Sequence, residues 1–225
     1  LSKLSVVWVY YGLPQASNEI EVSIKLAKHF LVDAKNYLVC GDAVPWAEHI
    51  ASPLPPKGVF GKWFDSAIKL LNIINDPRVS DDFLWLYDDT FVLDSLNVQE
   101  LITPRYSGLL LKSTPVSTWG GVKNETVKVL PPNSKNFSSH YPMVYNKKQL
   151  EALITQYQIT TRPRLIESIY GNLCGLEPEL LPQWFNYVRT PLPHNFPTPG
   201  RLVNVGHYNK HAKDVMMLRY GNIIE

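Results

Sequence analysis

Cysteine is scarce in this chain: Cys40 and Cys174 are the only two among 225 residues. Two isolated cysteines exclude a disulfide-stapled secreted scaffold and lack the spacing of a zinc site, which fits a reducing compartment. Long apolar runs are missing as well. Phe83 to Tyr87 is among the longest, far short of the roughly 18 residues of a membrane helix, so no membrane partner is expected. The opening LSKLSVVWVYYG lacks the small-residue cleavage pattern of a signal peptide and reads instead as a first strand. A cytoplasmic protein is expected, in the host cytoplasm if the chain is phage-encoded, with the sequons at Asn124 and Asn136 as chance matches. A dominant charge of one sign is also lacking: the net charge of +2 neither demands nor excludes nucleic acid. No repeat, low-complexity tract or linker divides the chain, so a single domain is expected over residues 1–225, with halves 1–100 and 101–225.

What is present is an ordinary globular composition, 45% hydrophobic and 19% charged. Ser5 to Tyr11 is β-branched and aromatic and reads as a buried strand. Asn18 and Glu21 form a capping-box pattern for a helix to about Leu31, with Ile20, Ile24, Ala27 and Leu31 on its apolar face. Asn36 to Cys40 is a second strand. Strand, helix, strand with short connections predicts a mostly parallel sheet flanked by helices. Lys62 to Asn75 is helical with Phe64, Ile68 and Leu71 in register, and Asp82 to Tyr87 is a third buried strand. Further on, Tyr106 to Leu111 reads as a strand, Asn146 to Gln158 and Pro163 to Tyr170 as helices, and Gly171 to Gly200 as an irregular wrap.

Charge is unevenly distributed along the chain. Asp76 to Glu100 holds seven acidic residues against Arg78, a local charge of −6, whereas Leu101 to Lys148 holds seven basic residues against Glu125, or +6. An acidic edge beside a basic surface suits a phosphate-rich ligand; solvated faces of opposite sign are the alternative.

The acidic segment contains Asp88 and Asp89, set between two apolar runs. At the C-terminal end of a buried strand, where open α/β sheets bind ligands, adjacent carboxylates can hold Mg²⁺ or Mn²⁺ shared with substrate phosphate. Such an ion would neutralise charge on a departing diphosphate. Alternatively Asp88 turns the chain and Asp89 is solvated, since Asp favours turns.

The run Lys62 to Leu93 resembles the central region of small bacterial and phage glycosyltransferases of GT-A type. It is similar also to the Stealth sugar-phosphate transferases, in which a helix and a short acidic segment lead into a strand ending in tandem Asp. SSHYPMVYNKKQLEAL, Ser138 to Leu153, resembles their His-x-Pro stretch, and RLIESIYGN, Arg164 to Asn172, their Tyr-Gly-Asn motif. Tyr87 stands where these relatives usually have Asn. The resemblance covers roughly residues 5–172 and implies a GT-A-like fold with a nucleotide-sugar-binding first half and an acceptor-binding second half.

By that resemblance Asp88 and Asp89 are the metal and diphosphate motif, with Asp89 also catalytic. His140 either completes the metal shell or is a structural His beside Pro142. Lys62 and Asp65, at the start of the helix before the metal strand, match the nucleotide side, as does Tyr11 at the end of the first strand; a helix N-terminus there favours phosphate. Lys62 as a solvated first-turn residue is the other possibility. In VGHYNKHAK, Val205 to Lys213, a late His and Lys of GT-A enzymes would correspond to His207 on the metal and Lys210 on the diphosphate, with a basic surface tail as the competing reading. An inverting transferase needs a base near the acceptor hydroxyl, for which Glu167 is the candidate.

The function expected is metal-dependent transfer of a sugar from a nucleoside diphosphate to a hydroxyl. The acceptor is a hydroxymethylated base in phage DNA, read from the +6 segment with Trp119, Tyr141 and Tyr145 interleaved, or otherwise a glycan. Two alternatives stand beside it: a Stealth-like sugar-1-phosphate transferase, and a non-catalytic DNA-binding protein whose Asp pair is only a turn.

Overall fold

The structure is a computed structural model that describes residues 3–10, 19–53, 58–114, 117–188, 200–205 and 210–225. Its centre is a five-stranded sheet in the order β4-β3-β1-β5-β9. These strands are β1 (Leu4–Tyr10), β3 (Ala34–Gly41), β4 (Glu48–Ala51), β5 (Asp82–Leu86) and β9 (Met143–Asn146), with the two-residue β2 (Leu31–Val32) preceding β3. β1 pairs in parallel with β3 and β5, and β3 with β4; only β9 runs antiparallel, against β5. The short β-branched and aromatic runs of β1 and β5 are nearly continuous in burial, as parallel strands covered on both faces must be.

Alternation along these strands feeds two cores. Val7, Phe83 and Trp85 face α2 (Gly61–Asn75), α4 (Lys147–Gln156) and α5 (Ile166–Leu173). Val6, Trp8, Leu84 and Leu86 face the side of α1 (Glu19–Phe30), through Ile20, Ile24 and Ala27. The third strand therefore ends between two helical layers, at a point where the chain turns sharply into β6 (Thr90–Val92). Trp8 Nε1 donates to Ser23 Oγ at 3.0 Å and Ser23 Oγ to the Thr90 carbonyl at 2.6 Å, fixing α1 against the start of β6.

A second, three-stranded sheet, β11 (Phe185–Val188), β12 (Leu202–Val205) and β6, is completed by a core under α6 (Lys210–Ile224). Two small pairs, β2 with β7 (Leu96–Asn97) and β8 (Arg105–Tyr106) with β10 (Glu179–Leu180), and α3 (Thr118–Val127) finish the chain.

The strand expected over Tyr106 to Leu111 shrinks to β8, with a single bridge from Leu109 to Lys135 beyond it. The helix expected over Pro163 to Tyr170 begins three residues after the proline, because Leu165 is extended at its cap. Phe64, Ile68 and Leu71 are only half-buried; α2 instead buries Gly61, Asp65, Lys69 and Ile73, a stripe at i, i+4 spacing that contains an ion pair. The expected wrap over Gly171 to Gly200 contains β10 and β11 among its described residues. Among the described residues no helix is long and apolar enough to cross a membrane.

Candidate functional site

Tyr87, Asp88 and Asp89 form the turn from β5 to β6, closed by the Thr90 amide donating to the Tyr87 carbonyl at 3.1 Å. Of the expected Asp pair, Asp88 lines a cavity of about 350 Å³, together with Tyr87, Asp65, Lys69, His140 and Glu167, while Asp89 is not among its lining residues. Lys62, Trp119 and Arg164 also border it. Five segments far apart in sequence thus converge at the C-terminal end of β5, where open α/β sheets place ligand clefts.

The two carboxylates are held differently. Asp89 is anchored: His140 Nδ1 lies 3.2 Å from both its carboxylate oxygens, and Asn204 Nδ2 donates to Oδ1 at 2.5 Å. The Val205 amide adds a bond of 2.9 Å to the Asp89 carbonyl. Asp88 has no such clamp. Burial, then the charge of Asp89, pushes its carboxyl up to about 6, with the nearby His140 opposing. Glu19, at the start of α1, is pushed up to about 8 by burial and by the charges of Asp88 and Asp89.

His140 adopts φ of 56°, a left-handed conformation uncommon outside glycine, and its ring stacks on Tyr87 at 4.3 Å and 8°. Burial lowers the imidazole pKa, but the hydrogen bond and charge of Asp89 outweigh it, so the net shift is upward. Tyr87 Oη in turn donates to Glu167 Oε1 at 2.6 Å, and burial with the Glu167 charge keeps the phenol protonated. A continuous path therefore runs from Asp89 through His140 and Tyr87 to Glu167 in the first turn of α5. At the position of the missing Asn, Tyr87 couples the metal candidate to the base candidate.

The opposite wall of the cavity holds a second pair. Lys69 Nζ sits 2.6 Å from Asp65 Oδ2 and donates to the Tyr10 carbonyl at 2.9 Å, both side chains nearly fully buried. Asp65 thus lies at the expected wall but is committed to a lysine, while Lys62 is exposed with its ammonium 4.4 Å over the Trp63 ring. Tyr11, His207 and the Lys210 side chain lie outside the described residues. Lys69, Asn204, Arg164 and Glu19 were not anticipated. Asn204 did leave a trace, as the one polar residue in the fully buried LVNV of β12.

Two of the three aromatics expected to stack on a base are not available. Tyr141 and Tyr145 are 3% and 0% exposed, packed against Phe185 and Trp85, so neither can meet an extruded base. Only Trp119, 41% exposed with Lys123 5.0 Å over its ring, is available at the cavity mouth. Arg105 pairs with Glu179, Lys128 with Glu125, and Lys147 donates to the Asp76 carbonyl, drawing the positive charges to separate places.

No protein-family model matches this sequence, and no curated protein matches it. Among solved structures, the chain is similar to the galactosyltransferase LgtC, crystallised in complex with donor and acceptor sugar analogues. The likeness has a TM-score of 0.53 at 12% identity and covers 98% of this chain and 95% of that one. The fold is that of a GT-A-type glycosyltransferase. The expected α/β architecture, a mostly parallel central sheet flanked by helices, is borne out.

Proposed function

We propose that this protein is a metal-dependent glycosyltransferase that moves a sugar from a nucleoside diphosphate to a hydroxyl. The observation that supports it most is the Asp88-Asp89 pair at the C-terminal end of β5, with the Asp88 carboxyl raised by burial and by Asp89, in a chain with the fold of a galactosyltransferase. The residues fit a hard divalent cation: a buried carboxyl raised by its neighbour gains most from a nearby positive charge. Among the described residues no three of His, Cys, Asp and Glu converge closely enough to hold an ion by themselves. Asp88 and Asp89 would bind Mn²⁺ or Mg²⁺ together with donor phosphate oxygens, and with His140 or His207 completing the shell. When bound, the ion supplies Lewis-acid stabilisation of the departing diphosphate.

The chain's own residues do the rest. Asn204 and His140 orient Asp89. Lys62 and Lys210 offer positive charge to phosphate. In an inverting transfer Glu167, facing the cavity from α5, takes the proton of the acceptor hydroxyl, with Tyr87 fixing its carboxylate; a retaining transfer requires no such base. Exposed Trp119 offers an apolar platform for the face of a sugar ring, which favours a glycan acceptor over DNA now that Tyr141 and Tyr145 are buried.

The test is incubation with nucleoside diphosphate sugars and Mn²⁺ or Mg²⁺, followed by analysis of nucleotide release and of the bond formed. Metal-dependent release of nucleoside diphosphate, absent in Asp88→Asn, is expected. Release of nucleoside monophosphate with a phosphodiester product would instead identify a Stealth-like transferase. No turnover, together with salt-sensitive DNA binding, would leave a binding protein.

A further inference from the structure

The rim of the cavity at α3 and the start of α5 carries positive charge that the proposed transfer does not use. Trp119 of α3 lines the cavity, and so do Arg164 and Leu165, which lead into α5. The two segments are fixed to each other, because the Leu165 amide donates to Thr126 Oγ1 at 2.9 Å in a buried contact. Trp119, Lys123 and Thr126 follow at i, i+4 and i+7, so they share one face of α3. That face therefore sets the indole and the Lys123 ammonium, 5.0 Å apart, against the chain next to Arg164.

Residues 119–128 and 162–164 hold Lys123, Lys128, Arg162 and Arg164 against Glu125 alone, a local charge of +3. Glu125 is already taken by Lys128. Its carboxyl is held below the ordinary range first by that hydrogen bond and then, against the effect of burial, by the charges of Lys128, Arg164 and Arg162. Arg164 Nη1 donates to the Tyr157 carbonyl, which fixes the guanidinium without neutralising it. Among the described residues neither Arg164 nor Lys123 forms an ion pair. The acids that line the cavity are engaged elsewhere: Asp65 with Lys69, Glu167 with Tyr87, and Asp88 in the pair at the end of β5. Two cations without a carboxylate, beside an exposed indole, suit an anionic group carried on an apolar ring face.

We propose that the acceptor is an acidic glycan, whose sugar ring bears a carboxylate or a phosphate. The C–H face of the ring lies on Trp119, and the acidic group meets Arg164, with Lys123 as the second charge. The planar guanidinium matches both anions, whereas a neutral sugar would leave both cations unused. Lys62, on the α2 side of the cavity, stays with the donor phosphate. That the bound glycan is the acceptor rests on the transferase reading; the preference for acidic sugars does not.

Saturation-transfer NMR on the metal-free protein tests this, with glucose, galactose, glucuronate, galacturonate and glucose 6-phosphate as separate probes. At least one acidic probe should bind about tenfold or more tighter than its neutral counterpart, the gain expected for one charged hydrogen bond, and the gain should shrink as salt is raised. Glucuronate and glucose 6-phosphate separate carboxylate from phosphate. The preference should vanish in Arg164→Gln, survive in part in Arg164→Lys, and weaken in Lys123→Gln, with the neutral probe unchanged throughout. Both positions are half-buried rim sites outside the core, and Lys123→Gln decides the matter if Arg164→Gln does not fold. Equal binding of acidic and neutral sugars, no binding of any probe, or a preference that survives both glutamine variants overturns the proposal. A preference lost in Lys62→Gln but kept in Arg164→Gln also overturns it, since the anion then sits on the donor side. Acidic-sugar preference without metal-dependent nucleotide release would keep the subsite and sink the transferase reading; turnover without the preference would do the reverse.

Discussion

Two pairs of charged side chains meet at one cavity, Asp65 and Lys69 both lining it and Asp88 lining it with Asp89 behind, and they are built on opposite terms. Lys69 and Asp65 are of opposite sign, 2.6 Å apart, and Lys69 also donates to the Tyr10 carbonyl. Asp88 and Asp89 are of like sign, and the one that is not clamped titrates at about 6. The first pair joins opposite charges, although Asp65 Oδ1 is buried without a partner; in the second, burial and the charge of Asp89 hold the Asp88 carboxyl above its ordinary range. That difference separates a wall, which must hold its shape, from the end of the cavity proposed to bind the ligand. Even the backbone behind the wall is tight: Gly41 has φ of 125°, and a Cβ there would lie 1.9 Å from the Tyr10 carbonyl oxygen.

The comparison breaks most visibly at the wall. Lys69→Met leaves Asp65 buried and unpaired, and chemical denaturation should show a loss of about 3–5 kcal/mol, the cost of removing one partner of a buried pair. Substituting the carboxylates should have smaller and opposite effects. Metal-free Asp88→Asn should be about 1–2 kcal/mol more stable at pH 7, because the native carboxyl ionises against its surroundings. Asp89→Asn should be about 1–2 kcal/mol less stable, because the charge that holds His140 is lost. Both should remain folded and inactive. A stabilised Asp89→Asn, or a destabilised Asp88→Asn, would erase the distinction between them.

Tyr87→Phe should cost about 1 kcal/mol, removing the hydroxyl that holds Glu167 while keeping a ring under His140. Finer still is the pH dependence of the metal-free protein. Asp88 and Glu19 have folded pKa values of about 6 and about 8, above their ordinary values of 3.8 and 4.5. The folded state therefore binds more protons than the unfolded one across this range, and stability rises as pH falls from 8.5 toward 5. The raised His140 pKa acts in the same direction, its stabilisation being present below 6.5 and lost above the folded value. Thermal midpoints between pH 8.5 and 5.5 should therefore climb on acidification without metal, and flatten with Mn²⁺.

The wall and the reactive end were not equally legible in the sequence. The Asp pair stood out because two charges interrupt continuous apolar runs, and β1 and β5 were readable because buried parallel strands are apolar on both faces. The Lys69–Asp65 pair was hidden, since an i, i+4 Asp and Lys is also the signature of a solvated helix face. Its clue was position: both fall on the stripe that includes Gly61 and Ile73. α3 escaped because Gly120 and Gly121 lower local helix propensity, and it forms with Ser117 as its cap. The clamp on Asp89 escaped because Asn204 is 115 residues away in sequence, and no local pattern reports a contact at that separation.

Binding of a cation and a diphosphate at the Asp88-Asp89 end of the cavity is the central proposal. The most direct test is the thermal midpoint of the protein with each of a panel of nucleoside diphosphate sugars, with and without Mn²⁺, since a ligand that binds only the folded state raises it. A rise that requires both Mn²⁺ and one particular nucleotide sugar, and that vanishes in Asp88→Asn, is predicted. A rise with nucleotide sugar alone, unchanged by Mn²⁺ and retained in Asp88→Asn, would contradict it.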